Sequence, residues 1–173
     1  MKKLISVLTL VSLISGVIFT VLYRLFSYGL YLTLSITFFT VFYHFIMRIT
    51  VAVFVTHFGR NKTAKPFCIG KAETAFYKKI NMKKLKKYAP TYNPDLFSIS
   101  INSYEELMRN MANARVTHEI IAVLSFVPIL FSRVFDSFTP FFVTSIVSAL
   151  FDLQFVLIQR YNMARLSGII YRK

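Results

Sequence analysis

The sequence predicts an all-α polytopic integral membrane protein with four transmembrane helices and a basic amphipathic surface helix. Three observations support this prediction. Of the 173 residues, 55% are hydrophobic, and several apolar runs approach the roughly 20 residues that a helix needs to cross a bilayer. Only 16% of the residues are charged, yet the formal net charge is +14. The cations gather between the apolar runs, as they do in the loops of membrane proteins.

The chain length and motif content narrow the possible classes. Residues 1–173 are long enough for one domain, which we predict to be a single membrane domain. Cys68 is the only cysteine, and the three histidines lack metal-ligand spacing, so we expect no metal and no resident cofactor. A phosphate loop and a GxSxG motif are absent. The His-x4-Asp pattern of many glycerolipid acyltransferases is absent too, because Val123 rather than Asp stands five residues after His118. A nucleic-acid binder would explain the charge but not the apolar runs, so no nucleic-acid partner is expected.

The predicted spans cover about residues 4–23, 28–46, 116–133 and 141–159. The first apolar run follows Lys2 and Lys3 and could be a signal peptide, but it lacks an Ala-x-Ala-like site and continues for a full span. The second run continues weakly to Phe58, which predicts a tilt or a break near Arg48. Pro128 predicts a kink in the third span.

A polar segment, residues 59–115, separates the second and third spans. Between Arg60 and Lys87 it contains ten Lys or Arg and one acid, Glu73. Phe76, Ile80, Met82 and Leu85 have the spacing of a short amphipathic helix, which Pro90 should end. The lysines predicted to contact anionic headgroups at the membrane surface are Lys78, Lys79, Lys83, Lys84, Lys86 and Lys87.

Two local signals refine the topology. Ser103 and Glu106 form a capping-box pattern, which predicts that a helix begins there and runs into the third span. The basic N-terminus, central segment and C-terminal tail should all be cytoplasmic, and four spans place all three on one side. The sequence therefore predicts a multi-pass cell-membrane protein with both termini in the cytoplasm.

This topology should gather polar side chains at the cytoplasmic face. The residues involved are His44, Arg48, Arg115, His118, Glu119, Asp152, Gln154, Gln159 and Arg160. Ionisable groups within spans are costly and usually face a bundle interior or a wet cavity. Each also has a structural interpretation. His44 with Arg48 could simply mark a helix end that reaches headgroups, and Glu119 could pair with Arg115. Asp152 could be a structural partner of His118 or an arginine. The interfacial anchors could be Gln159, Arg160 and Asn162.

The chemical hypothesis assigns His118, Asp152 and Glu119 as candidate catalytic residues. Neutral His118 could take a proton from a hydroxyl. Asp152 is a better candidate than Glu119 to orient the His118 ring, because adjacent residues on a helix, such as His118 and Glu119, point in different directions. Arg48, Arg160 and Arg165 could hold an anionic donor. The candidate substrate-binding residues are His44, Arg48, Gln159, Arg160, Tyr161, Asn162 and Arg165.

Four sequence blocks resemble one family. "QRYNMARL", from Gln159 to Leu166, resembles the QRYNRxRL-type ending of the glycosyl-4,4'-diaponeurosporenoate acyltransferase family of small bacterial membrane proteins. The stretches "FYHFIMR", "FYKKINMKKLKKYAPTYNP" and "NMANARVTHEIIAVLSFVPILF" resemble its other blocks in the same order. The chain departs from the family pattern at Leu85, where a Trp is expected, and at Arg115, where an acid is expected.

The resemblance implies acyl transfer to the sugar of a glycosylated carotenoid. From it we expect an acyltransferase that acts on a glycosylated isoprenoid or other glycolipid at the inner leaflet, with acyl-CoA or acyl-carrier protein as possible co-substrate. Membrane lipids and a lipid-like acceptor are the expected partners. The alternative is a non-catalytic membrane protein that binds lipid or docks a partner, which the loss of the family acid at Arg115 favours slightly.

Overall fold

The computed structural model describes residues 2–58, 67–89 and 94–170, and this part of the chain is helical without strands, which confirms the predicted fold class. The α-helices are α1 (Lys2–Phe26), α2 (Gly29–Phe58), α3 (Lys71–Lys79), α4 (Met82–Tyr88), α5 (Tyr104–Leu124) and α6 (Phe138–Ile170). Short 3-10 helices cover Pro94–Phe97 and Val127–Phe131. Among the described residues, four stretches are long and apolar enough to cross a membrane: Lys3–Phe26, Gly29–Phe58, Tyr104–Phe131 and Phe138–Ile169.

The helix bounds differ from the predicted spans in ways that local chemistry explains. α2 continues without a break through Arg48, because no proline precedes Pro66. α5 ends at Leu124, since the Pro128 ring would clash with the carbonyl of Leu124 in a continued helix. The predicted kink is therefore a helix end followed by a 3-10 turn. Pro90, Asn93, Gly59 to Pro66 and the C-terminal basic tail (residues 171–173) lie outside the described residues.

The capping box is confirmed at the start of α5. The Ser103 backbone N–H donates to Glu106 Oε2 at 2.8 Å, and the Glu106 backbone N–H donates to Ser103 Oγ at 3.3 Å. These reciprocal bonds satisfy backbone donors that a helix start otherwise leaves without partners. α5 consequently begins at Tyr104, well before the predicted span, and α6 extends through the whole QRYN motif.

The predicted basic surface helix is instead two helices. Asn81 separates α3 from α4 because its backbone takes the left-handed conformation, with φ 49°. Its side chain accepts the Lys84 N–H at 3.4 Å and so caps α4. The spacing of the apolar residues continues across Asn81. This spacing therefore predicted a single helix where the structure has two.

Contacts divide the chain into two compact units. The first unit comprises residues 1–53 and 120–152, and the second comprises residues 54–119 and 153–173. In the first unit, α1 and α2 pack through the Phe19 and Phe38 rings, whose centroids are 5.5 Å apart, and through a 2.7 Å hydrogen bond between the Thr20 and Ser35 hydroxyls. Many apolar side chains of α1 are exposed, as expected for a surface that lipid covers.

Small hydrophobic clusters join the helices of the second unit. One contains Leu107, Met108, Met163 and Leu166, and joins the start of α5 to the end of α6. Another contains Tyr77, Met82 and Ile158, and joins α3 and α4 to α6. These contacts fix the basic helices beside the QRYN motif, Gln159–Asn162, which α6 carries.

Candidate functional site

The QRYN motif is held by an acid from the basic segment. Arg160 donates from Nε to Glu73 Oε1 and from Nη2 to Glu73 Oε2, both at 2.8 Å. The Tyr77 hydroxyl also donates to Glu73 Oε1. Bidentate arginine–carboxylate pairs fix orientation as well as charge. Glu73 therefore sets the direction of the Arg160 guanidinium on α6.

Electrostatics keep this triad in one protonation state. The hydrogen bond from Arg160 lowers the pKa of Glu73 to about 2, whereas burial raises the pKa of Tyr77 to about 12. At neutral pH Glu73 is ionised and Tyr77 keeps the proton that it donates. The Tyr77 ring also packs edge-on against Tyr161, with centroids 5.6 Å apart. Glu73 and Tyr77, four residues apart on α3, therefore each contact one residue of the QRYN motif.

Phe67 lies between two arginines of the second unit. The guanidinium carbons of Arg160 and Arg115 lie 5.2 Å and 5.5 Å from the centre of its ring. The Phe67 backbone N–H donates to Ser167 Oγ at 2.7 Å. This hydrogen bond anchors the chain just before α3 to α6. Arg115 also forms an ion pair with Glu119 at 3.3 Å, as the spacing of four residues on α5 permits. Glu119 therefore pairs with Arg115, the cation at the position where the sequence pattern leads us to expect an acid.

His118 packs on α6 within the same unit. Its ring stacks on Phe155, with centroids 4.8 Å apart and an interplanar angle of 16°. Gln159 lies one helical turn beyond Phe155 on the same face of α6. Its side chain is only 9% exposed, and within the described part of the chain its Oε1 has no hydrogen-bond partner. A buried amide oxygen without a partner is a candidate acceptor for a substrate hydroxyl.

The remaining motif residues lie nearer the surface. Arg165 is exposed, and its guanidinium carbon is 5.7 Å from the centre of the Tyr161 ring. Asn162 is partly buried. The substrate-binding roles predicted for these residues stay predictions.

The first unit contains a separate polar cluster inside its spans. Arg48 donates to the fully buried Asp152 and, at 2.8 Å, to Ser148 Oγ, which lies 3.0 Å from Ser125 Oγ. Asp152 thus has an arginine beside it, the kind of partner expected for an acid so deep in a span. His44 is 4% exposed, and neither of its ring nitrogens has a hydrogen-bond partner among the described residues.

The structure brings together some of the predicted residues. His118, Glu119, Gln159, Arg160, Tyr161, Asn162 and Arg165 belong to the second unit, whereas His44, Arg48 and Asp152 belong to the first. The pairing of His118 with Asp152 stays a prediction. Glu73, Tyr77 and Phe67 were missed as site residues. The position of Glu73 as the one acid between Arg60 and Lys87 was the signal that could have identified it.

The six lysines predicted to face the membrane surface are exposed on α3 and α4, and their contact with lipid headgroups stays a prediction. No group of three or more His, Cys, Asp or Glu side chains in the described ranges is placed to hold a metal ion. Cys68 is exposed.

Comparison with known protein families identifies a matching family. The model of a family described as glycosyl-4,4'-diaponeurosporenoate acyltransferase (CrtO) matches residues 57–172. No curated protein and no solved structure matches the chain. The matched range includes His118, Glu73 and the QRYN motif, and it also includes Asp152, but His44 and Arg48 precede it.

Proposed function

Because the chain belongs to the glycosyl-4,4'-diaponeurosporenoate acyltransferase family, we propose that it transfers an acyl group to a hydroxyl of a glycosylated isoprenoid or related glycolipid. The observation that supports this proposal is the stacking of His118 on Phe155, which lies one helical turn before Gln159 on α6. The buried Gln159 Oε1 has no hydrogen-bond partner among the described residues. Acylation of an alcohol is accelerated by a positioned proton acceptor, the role that we assign to His118. A buried amide oxygen beside it could hold a neighbouring hydroxyl of the acceptor.

The proposed reaction is a direct transfer. His118 takes the proton of the acceptor hydroxyl, while Gln159 Oε1 accepts a hydrogen bond from a neighbouring hydroxyl of the same sugar. The acceptor oxygen attacks the thioester carbonyl of the donor, so that a C–O bond forms and the C–S bond breaks. The proton on His118 then passes to the leaving thiolate. No resident cofactor is needed, and acyl-CoA or an acylated carrier protein would serve as co-substrate.

The arginines divide into positioning and binding roles. Arg160 is neutralised by Glu73, so we assign it to fixing α6 and the QRYN motif rather than to holding the donor. Arg165 is exposed and has no ion pair among the described residues, which suits it to an anionic group of the donor. The reaction would take place at the inner leaflet of the cell membrane, with both termini in the cytoplasm.

The proposal is tested with the full chain in lipid nanodiscs. His118→Ala and His118→Gln should each lower acyl transfer to a glycolipid by at least about 100-fold, the usual contribution of a general base. His57→Ala is the matched control, since His57 is an exposed histidine of the same unit. Product is measured by mass spectrometry. Unchanged turnover in both His118 variants would remove His118 from the mechanism.

One observation favours the alternative, a non-catalytic membrane protein that binds lipid or docks a partner. Arg48 and Arg160, two cations expected to hold a donor, are both paired with acids. In that case the His118 variants should lower thermal stability, and the wild-type chain should form no acylated product with any thioester donor. Product formed by the wild type would exclude this alternative.

A further inference from the structure

The exposed lysines of α3 and α4 form a lysine surface, and within the described residues none of these lysines forms an ion pair with an acid. Its members are Lys71, Lys78, Lys79, Lys83, Lys84, Lys86 and Lys87, all of which are exposed. The one acid on these two helices, Glu73, is directed to Arg160 and Tyr77. The lysine surface therefore presents a high positive charge whose field attracts an anionic partner.

The opposite side of these helices is already occupied. Tyr77 and Met82 are 3% and 1% exposed and pack against Ile158 of α6, with Ile80 and Leu85 partly buried beside them. An amphipathic helix that lies in a membrane buries its apolar side among lipid chains. Here that side is buried in protein, so the apolar contribution to lipid binding is largely lost.

The lysine surface also has an exposed aromatic residue. Phe76 is 45% exposed and stands on α3 next to the buried Tyr77, close in sequence to Lys78 and Lys79. Aromatic anchors with a charged rim are typical of protein docking surfaces, where the rim sets the rate and the specificity of association. The neighbouring α3 residue Glu73 holds Arg160, so this surface belongs to the same packed element as the QRYN motif.

We infer that the lysine surface with Phe76 docks an acidic, water-soluble carrier protein that bears the acyl group as a thioester. This inference rests on the proposed acyl transfer and names the class of its donor. An acidic helix of the carrier would lie against the lysines, and an apolar residue on that helix would contact Phe76. Docking there would bring the thioester to the unit that contains His118.

The test compares two donors and measures binding separately from turnover. The full chain is placed in nanodiscs of neutral phosphatidylcholine, which removes competition from anionic lipid. One donor is an acylated carrier protein, and the other is the same acyl group on the small uncharged thiol N-acetylcysteamine. Binding of fluorescently labelled carrier protein is followed by anisotropy.

Lys79→Glu combined with Lys84→Glu should lower the ratio of kcat/KM for the carrier donor to that for the small donor by about tenfold, and should weaken carrier binding to the same extent. Lys79→Gln with Lys84→Gln should act in the same direction but less strongly. Arg24→Glu with Arg133→Glu is the matched control, because both arginines are exposed cations of the other unit. The control should leave the ratio and the binding unchanged.

Three outcomes overturn parts of the account differently. An unchanged ratio and unchanged carrier binding in the lysine variants would refute the docking surface while leaving acyl transfer intact. A lysine effect that appears only when anionic phospholipid is added would assign the surface to the membrane instead. Carrier binding without product from either donor would refute acyl transfer and keep only the docking site.

Discussion

Replacing Glu73 with Gln tests whether one acid organises the QRYN motif. Glu73→Gln keeps the shape of the side chain and an acceptor oxygen, but it removes the charge that pairs with Arg160. A carboxyl pKa lowered from 4.5 to about 2 corresponds to about 3 kcal/mol. The two side chains are 23% and 32% exposed, so solvent screening reduces the expected loss of unfolding free energy to about 1–2 kcal/mol.

The assay is thermal unfolding of the purified chain in detergent, followed by helical circular dichroism. For a chain of this size, a loss of that order lowers Tm by about 2–8 °C. A double-mutant cycle with Arg160→Gln separates the pair from other effects, and it should give a coupling energy of about 1–2 kcal/mol. Asp95→Asn is the control, since the Asp95 side chain is exposed and the hydrogen bonds that it receives from described residues, Ser98 and Asn102, reach its backbone carbonyl.

Two results would refute this reasoning. Additive effects of Glu73→Gln and Arg160→Gln would show that the pair contributes no coupling. A Glu73→Gln variant as stable as the wild type would show that Arg160 finds equal stabilisation from solvent or from Phe67 alone.

The same triad and other local contacts give three further predictions. Because the folded pKa of Glu73 is depressed, its stabilisation is present above about pH 4.5 and is lost as pH falls towards 2. Acid unfolding should therefore show this loss in the wild type and a flatter profile in Glu73→Gln, and identical profiles would contradict it. Asp152→Asn leaves Arg48 without its buried counter-charge and should cost about 3 kcal/mol in thermal unfolding, whereas Asp136→Asn in an exposed loop should cost little. Ser103→Ala removes the N-cap of α5 and should cost about 1 kcal/mol, and a stability equal to wild type would mean that water replaces the cap.

Sequence patterns predicted those features that depend on neighbouring residues. The four apolar runs gave the four long helices, and Ser103 with Glu106 gave the start of α5. Helix ends were less accurate, because Pro128 ends α5 rather than kinking it, and because the left-handed backbone at Asn81 divides a continuous hydrophobic pattern into two helices.

The contacts of the site depend on residues far apart in the chain. Arg160 and Glu73 are separated by 87 positions, and Arg48 and Asp152 by 104. Charge alone indicated that Asp152 needs a partner, but it did not choose among His118 and several arginines. The positions of the paired arginines follow from helix packing, which no local pattern encodes.

The central claim is that this chain acylates a hydroxyl of a lipid-like acceptor. Lipid mass spectrometry of cells with and without the gene tests it most directly. We predict one lipid class that carries an additional acyl ester only when the gene is present, and that loses it again in cells that express His118→Ala. Identical lipid profiles with and without the gene, in cells shown to contain the protein, would contradict the claim.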